Sequence, residues 1–467
     1  MSERELEADY VIVGAGAVAM AFADTLLTDS DTSMILVDRR HRPGGHWNDA
    51  YPFVRLHGPS ANYGVNSRKL GSDCIDQTGL NRGLYELASG PEICAYFDQV
   101  MRQRLLPSGR VTYLPLSDLG DDGLVTSRVN GARTRVRARR KFVDATFADT
   151  RVPATHPPGF AVAAGARCVP PNALAQLSEP CAGFVIIGAG KTAMDTVVWL
   201  MEQGAEPDKI TWIRPRDAWL LNRTNVQPSY DFFAHTIGAF AAELEAARDA
   251  SSIDDLFARL EAAGQLRRID PTVTPTMYRC AVVSDAELEQ MRRVTNVVRL
   301  GHVTAIEADR IVLEHGVVPT SPRHIHVHCS ADGIPRKPPV PVFQGERIVP
   351  QYVRRCSPTF SGALIAHLEA TLDGDAEKNA LCMPVPMPDE PSDWLRVLLA
   401  DMRNSLAWSK SPELQKWLVG SRLDTFSAMI SRAIKEADPA NTAILGRWGQ
   451  AIKPGVAKLS TLLASAA

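Results

Sequence analysis

Most features that would place this chain in a specialised class are scarce or missing. No window approaches the ~18 unbroken apolar residues of a membrane span, so no membrane-crossing segment is expected. Neither sign of charge dominates: 51 Lys and Arg face 53 Asp and Glu, a net charge of −2. A near-neutral chain exerts no general pull on nucleic acid. The opening residues Met1-Ser2-Glu3-Arg4-Glu5-Leu6 lack the basic and then apolar regions of a signal peptide, which predicts a cytoplasmic protein. The eight cysteines (Cys74, Cys94, Cys168, Cys181, Cys280, Cys329, Cys356 and Cys382) are widely spaced, and none forms Cys-x-x-Cys. That spacing signals neither a dithiol relay nor a zinc knuckle and predicts small buried hydrophobes in a reducing compartment. What is present is ordinary: 467 residues, 45% apolar and 22% charged. This is enough core-forming side chain for about three domains, or two with an insertion, and it excludes wholesale disorder.

Against that background two segments stand out. Asp9-Tyr10-Val11-Ile12-Val13 leads into Gly14-Ala15-Gly16-Ala17-Val18-Ala19, then an Ala-rich stretch to about Leu27, then Met34-Ile35-Leu36-Val37 ending on Asp38. This is the strand–turn–helix–strand order of a dinucleotide site. Gly14 makes the tight turn, and Gly16 lets backbone approach a pyrophosphate. Ala19 is small enough for close helix–strand packing, and Asp38 stands where a carboxylate accepts from ribose hydroxyls. The pattern recurs at Gly183-Phe184-Val185-Ile186-Ile187, Gly188-Ala189-Gly190-Lys191-Thr192-Ala193 and Lys209-Ile210-Thr211-Trp212-Ile213, but Arg214-Pro215-Arg216 replaces the terminal acid. A guanidinium there suits a 2′-phosphate and predicts NADPH over NADH at a site built from Gly188, Gly190, Lys191, Thr192 and Arg214. Two nucleotide turns in one chain point to a flavin that receives hydride from a nicotinamide.

Gly44-Gly45-His46-Trp47, followed by Tyr51-Pro52-Phe53-Val54-Arg55-Leu56-His57, resembles the class B flavoprotein monooxygenases: the flavin-containing, Baeyer–Villiger and N-hydroxylating enzymes. The resemblance runs from about residue 8 to 370 and includes Cys329-Ser330-Ala331-Asp332-Gly333 as the return turn to the FAD domain. It also includes Pro358-Thr359-Phe360-Ser361 as the start of a helix aimed at the flavin pyrimidine. It implies an α/β fold with two Rossmann-like domains and a helical C-terminal extension. FAD would lie on 1–160 and 324–385, and NADPH on 161–323 with a helical insertion at about 231–300; 386–467 would form the extension. Gly45, Trp47, Asp332 and Ser361 would join the flavin site, with Arg55, His57, Asn62 and Tyr63 near the reacting centre. The reaction implied is flavin reduction by NADPH, then oxygenation of a small organic substrate by O2 through a C4a-oxygen adduct. Departures from the family accompany this reading. The fingerprint Phe-x-Gly-x-x-x-His is missing before the second turn, where only His156 could substitute, and His57 stands where the Baeyer–Villiger branch carries Asp. Two alternatives remain open: an NADPH-dependent reductase of a quinone or protein acceptor, outside the disulfide-reductase branch, and a flavin-binding regulatory or assembly protein.

Other patterns carry structural expectations. His324, His326 and His328 share one strand face, an arrangement that resembles a metal site, but the stretch reads better as structure or polar lining. Arg133 to Lys141 alternates Arg with smaller residues, which predicts a solvated edge strand. Ser284-Asp285-Ala286-Glu287 is a capping box, Val303 to Val317 alternates as a hairpin, and Pro384 to Pro391 reads as a linker. Trp394 to Leu463 predicts amphipathic helices that form a cap or a homodimer surface.

Overall fold

The computed structural model describes residues 4–465. Its first sheet is built on Arg4–Val13, whose C-terminal half is buried because helices cover one face and the hairpin Ser117–Leu119/Leu124–Ser127 covers the other. Strand Arg4–Val13 pairs in parallel with Met34–Val37 on one side and Arg133–Asp144 on the other. Val111–Leu114 extends the sheet beyond Met34–Val37, and Arg347–Ile348 adds to Arg133–Asp144. The direction of winding therefore reverses at Arg4–Val13, so the crevice outside its C-terminal end is where ligands bind in such sheets. Gly14 occupies that place. Helix Ala17–Asp29 follows it and crosses helix Pro358–Thr371 so closely that a Cβ on Gly362 would stand 2.7 Å from the Val18 carbonyl oxygen.

The second sheet repeats the plan with every strand parallel: Cys168–Val169, His324–His328, Gly183–Ile187, Ile210–Ile213 and Val297–Val298. Winding reverses at Gly183–Ile187, which places Gly188 at the second switch point. His324–His328 lies at the heart of this sheet, so the return to the first domain does not begin at residue 324 as expected. The chain crosses back only after the Asp332 turn and rejoins the first sheet through Phe343–Gln344 and Arg347–Ile348. Two of the imidazoles are held structurally: Thr320 Oγ1 meets His324 Nδ1 and His326 Nε2, and the Arg167 carbonyl meets His326 Nδ1.

Three further expectations need correction. Arg133–Asp144 is an interior strand, not an edge; it also pairs with Leu124–Ser127, and its arginines project sideways to Glu7 and Asp9. The insertion is helical at Phe233–Asp249, Ile253–Ala262 and Asp285–Arg292. The rest forms a small sheet in which Ala218–Asn222 lies between Leu266–Arg267 and Met277–Val283. The proline-rich stretch is no free linker: the Asp389 carboxylate holds Arg216 at 2.8 Å and Arg279 at 2.6 Å. The capping box opens helix Asp285–Arg292 as its residues dictate, and Val303–Ile306 pairs antiparallel with Arg310–Leu313. Four C-terminal helices, Pro391–Trp408, Pro412–Gly420, Thr425–Glu436 and Pro439–Ala464, follow. The last packs along Phe233–Asp249, where Gly455 fits against the Leu244 carbonyl oxygen, so these helices cap the insertion. Among the described residues no helix is long and apolar enough to cross a membrane.

Candidate active site

The first turn is built from glycines stacked on glycines. Gly14 has φ +95°, the left-handed region that disfavours side chains. The Gly44 amide donates to the Ala15 carbonyl at 2.8 Å, and a Cβ on Gly45 would lie 2.9 Å from Gly16 Cα. Gly45 therefore lets its loop close over Gly16, a tighter requirement than passing near a flavin. Ala19 is fully buried, as its packing role demands. Asp38 turns inward: its carboxylate accepts from the Ala15 and Arg40 amides and fixes the turn. Beside it, the buried Tyr113 hydroxyl has no hydrogen-bond partner among the described residues.

At the second turn, a Cβ on Gly188 (φ +134°) would meet the Cys329 carbonyl oxygen at 2.8 Å, whereas Gly190 faces open space. Lys191 pairs with Asp195 one helical turn on, and Tyr51 from the first domain donates to the same carboxylate at 2.7 Å. Burial and the Asp195 charge push the Tyr51 phenol well up, and its hydroxyl also meets that of Thr192. Arg214, expected to meet a 2′-phosphate, is drawn into the protein. It is buried, ion-paired to Asp217 at 3.3 Å and stacked on Trp212, and its Nε and Nη1 lack hydrogen-bond partners among the described residues. Thr359, in the first turn of the return helix, has another buried hydroxyl without a hydrogen-bond partner among the described residues. Unsatisfied buried groups are uncommon. Besides those at Thr25, His328, Arg354 and Trp394, such groups stand beside Asp38, at the return-helix start and at the second strand end; these three, with the open cradle at Gly190, fit a donor–acceptor ligand at each turn.

The structure divides the four candidate reacting residues. His57 lies between the domains: its ring donates to the Cys280 carbonyl, and Arg223 Nε donates to the His57 carbonyl at 2.8 Å. Burial, then the Lys191 and Arg223 charges, push the His57 imidazole down to about 3, so it is neutral near pH 7. Asn62 and Tyr63 sit beside Trp47, whose indole N–H donates to the Tyr63 hydroxyl at 2.8 Å, and the Asn62 amide donates to the Val226 carbonyl at 3.2 Å. Arg55 stands apart, exposed, bonded to the Leu87 carbonyl and near Glu92 and Glu202. Asp332 pairs with Arg279 at 2.9 Å, and the Ser361 hydroxyl is spent on Ser357 and Val353 backbone. His156 bonds only locally, to Thr155 and Val152.

Sequence reasoning missed two clamps. Fully buried Arg223 links His57 to Asn81, to Val282 and, at 2.7 Å, to Glu287. Arg422, between the C-terminal helices, donates to the carbonyls of Ala61, Tyr63 and Val65, while Thr425 meets Asn62. An Arg flanked by no motif gives no signal of such roles. Arg422→Ala should therefore speed amide hydrogen exchange across 61–65 by about 5- to 30-fold, the equivalent of about 1–2 kcal/mol of lost hydrogen bonding. Unchanged exchange there would show that the C-terminal helices do not hold this loop.

The neutral histidines also set a pH dependence. His57 at about 3 and His46, lowered to about 4 by burial and the Arg40 charge, both lie below the ordinary 6.5. The native state then binds fewer protons than the unfolded chain, so this stability is complete above pH ~6.5 and falls as pH drops towards 4 and then 3. Urea midpoints measured from pH 7.5 to 5 should decline, and His57→Gln should flatten the decline.

The fold is that of the class B flavoprotein monooxygenases. An oxidised steroid monooxygenase bound to NADP superposes with a TM-score of 0.50 at 14% identity, over 78% of this chain and 85% of that one. Residues 12–71 match the NAD(P)-binding Rossmann-like domain family. Over 427 residues the chain is 48% identical to the uncharacterised proteins Rv2000 of Mycobacterium tuberculosis and Mb2023 of Mycobacterium bovis, covering 91% of this chain and 79% of each relative. The chain belongs to the same family as these mycobacterial proteins.

Proposed function

We propose that the protein is an FAD- and NADPH-dependent oxidoreductase whose first reaction is flavin reduction and whose leading outcome is oxygenation of a small organic substrate by O2. The observation that carries this reading is the pair of Gly-rich turns, each at a switch point of its own parallel sheet and joined through Tyr51–Asp195 and His57–Arg223. FAD would lie along Gly14, Gly16, Asp38 and Tyr113 to the Thr359 end of the return helix, and NADPH along Gly190, Lys191, Thr192 and Arg214. When bound, these groups supply hydride transfer and oxygen activation. The chain's own work is to hold both in register and keep water out: Trp47 and Tyr63 wall one side, and neutral His57 offers no proton near pH 7. Lys191 and Arg214 each face a carboxylate, Asp195 and Asp217, but Arg214 keeps Nε and Nη1 without hydrogen bonds among the described residues, so the 2′-phosphate preference is assigned to Arg214. Arg214→Ala should cut the preference for NADPH over NADH by roughly 10- to 150-fold, the worth of a charge-assisted phosphate contact. An unchanged ratio moves that role to Arg216 or Lys191.

Oxygenation is tested by reducing the loaded protein with NADPH, admitting O2, and measuring peroxide and oxygenated product across amines, sulfides and ketones. Product with little peroxide supports the reading, and His57→Ala should then raise the peroxide fraction while leaving flavin reduction nearly intact. Stoichiometric peroxide with every substrate, with and without NADP+, favours a reductase instead. One observation speaks for that second reading: two cysteines meet beside His57.

A further inference from the structure

Cys280 and Cys356, 76 residues apart in sequence, form a disulfide. This corrects both the expectation of eight reduced thiols and the exclusion of disulfide chemistry that rested on the missing Cys-x-x-Cys. Sequence spacing registers only neighbours, whereas this pair is assembled by the two domains. Of the remaining six, Cys94, Cys329 and Cys382 are buried, as expected.

The fold goes out of its way to build this bridge. Between the register pairs Trp219–Tyr278 and Leu221–Val282, three residues of strand Met277–Val283 face one residue of its partner, a bulge that re-aims Cys280. Both cysteines adopt left-handed φ, +56° and +55°, a conformation uncommon for non-glycine residues that Asp73, Leu116, Asp149 and Ala437 share. The bridge also lies where the two nucleotide sites converge. The Cys280 carbonyl accepts from the His57 ring, and neighbouring Arg279 holds Asp332 of the return turn. Cys356 directly precedes Ser357, the cap of the return helix. Cys280 is half-buried and Cys356 exposed, so the bridge is approached from solvent on the Cys356 side.

We propose that the Cys280–Cys356 disulfide is a second redox centre, which takes two electrons from the reduced flavin and passes them through Cys356 to a low-molecular-weight disulfide. The inference rests on the FAD/NADPH reading above and adds an outlet for its electrons. In the first step the Cys280–Cys356 S–S bond breaks and the flavin is reoxidised; one proton comes from the reduced flavin and one from solvent, leaving two thiols. In the second, Cys356 as thiolate attacks the external disulfide and expels one thiol. Cys280 then attacks Cys356 Sγ of the mixed disulfide, expels the second thiol and restores the bridge.

Anaerobic titration of the flavin-loaded protein with NADPH tests this, with thiols counted in denaturant before and after. The oxidised protein should give six thiols and the reduced protein eight, after uptake of about two NADPH equivalents per FAD. Alkylation under native conditions should label Cys356 before Cys280. A Cys280→Ser, Cys356→Ser double variant should take up about one equivalent and gain no thiols; if it fails to fold, the thiol count on the native protein decides alone. Flavin bleached by one equivalent with the count still at six overturns the relay and leaves the flavin reading standing. Eight thiols before any reduction overturns it at once, and flavin that NADPH does not bleach overturns both.

Discussion

A Gly16→Val variant is expected to fold and to purify without flavin. Gly16 caps helix Ala17–Asp29 with φ −74° and ψ 179°, an extended conformation that valine accepts without strain. Its Cβ would lie 3.6 Å from Gly45 Cα, an ordinary contact, so the turn survives. The two added methyls instead occupy the space through which a pyrophosphate reaches the helix N-terminus. The loss should exceed about 100-fold in FAD affinity, or about 2.7 kcal/mol, with the thermal midpoint of the apoprotein little changed. Gly45→Ala is a different experiment. Its Cβ would stand 2.9 Å from Gly16 Cα at φ +58°, so it should destabilise the domain as well. A yellow Gly16→Val protein with native FAD content would remove the first turn from the flavin site.

Arg223→Ala should cost about 3–5 kcal/mol of stability, the usual consequence of breaking a buried ion pair and stranding its partner. Arg223 is fully buried, and its loss leaves the His57, Val282 and Asn81 oxygens without their donor and Glu287 without its nearest cation. The Lys191 charge also reaches Glu287 and tempers the penalty. Adding Glu287→Gln should recover part of the loss, because the stranded carboxylate is then neutral, while a glutamine still caps helix Asp285–Arg292. Denaturant unfolding of the two single variants and the double checks this; strict additivity would mean the pair is not coupled. The same truncation removes one of two cations that depress His57, so its imidazole should titrate higher in Arg223→Ala, as NMR can follow.

Both nucleotide turns were legible in the sequence because they are local: turn, helix and flanking strands lie within about 30 residues, and each residue type answers a steric demand that needs no tertiary knowledge. The capping box at Ser284 and the strand Arg133–Asp144 were legible for the same reason. What could not be read depends on contacts between distant segments. Nothing around His324 says whether its strand joins the first sheet or the second, since both would bury the same alternating residues. The local sequence placed Arg214 at the second strand end but could not show that Trp212 and Asp217 draw it inside. The Cys280–Cys356 pair and the Arg223 and Arg422 clamps each unite residues from different domains, and no periodicity records such meetings. The reacting-centre candidates fared unevenly on the same ground. His57, Asn62 and Tyr63 are gathered by long-range partners, while Arg55, chosen because it matches the family's Tyr-Pro-x-x-Arg motif, is left at the surface.

The central claim is that two nucleotides meet across these domains, and anaerobic mixing of the FAD-loaded protein with NADPH or NADH tests it most directly. Rapid loss of the flavin's visible absorbance with NADPH, roughly 10-fold or more faster than with NADH at equal subsaturating concentrations, is the predicted result. Flavin that stays oxidised with both nucleotides, in a protein shown to bind FAD, would contradict it.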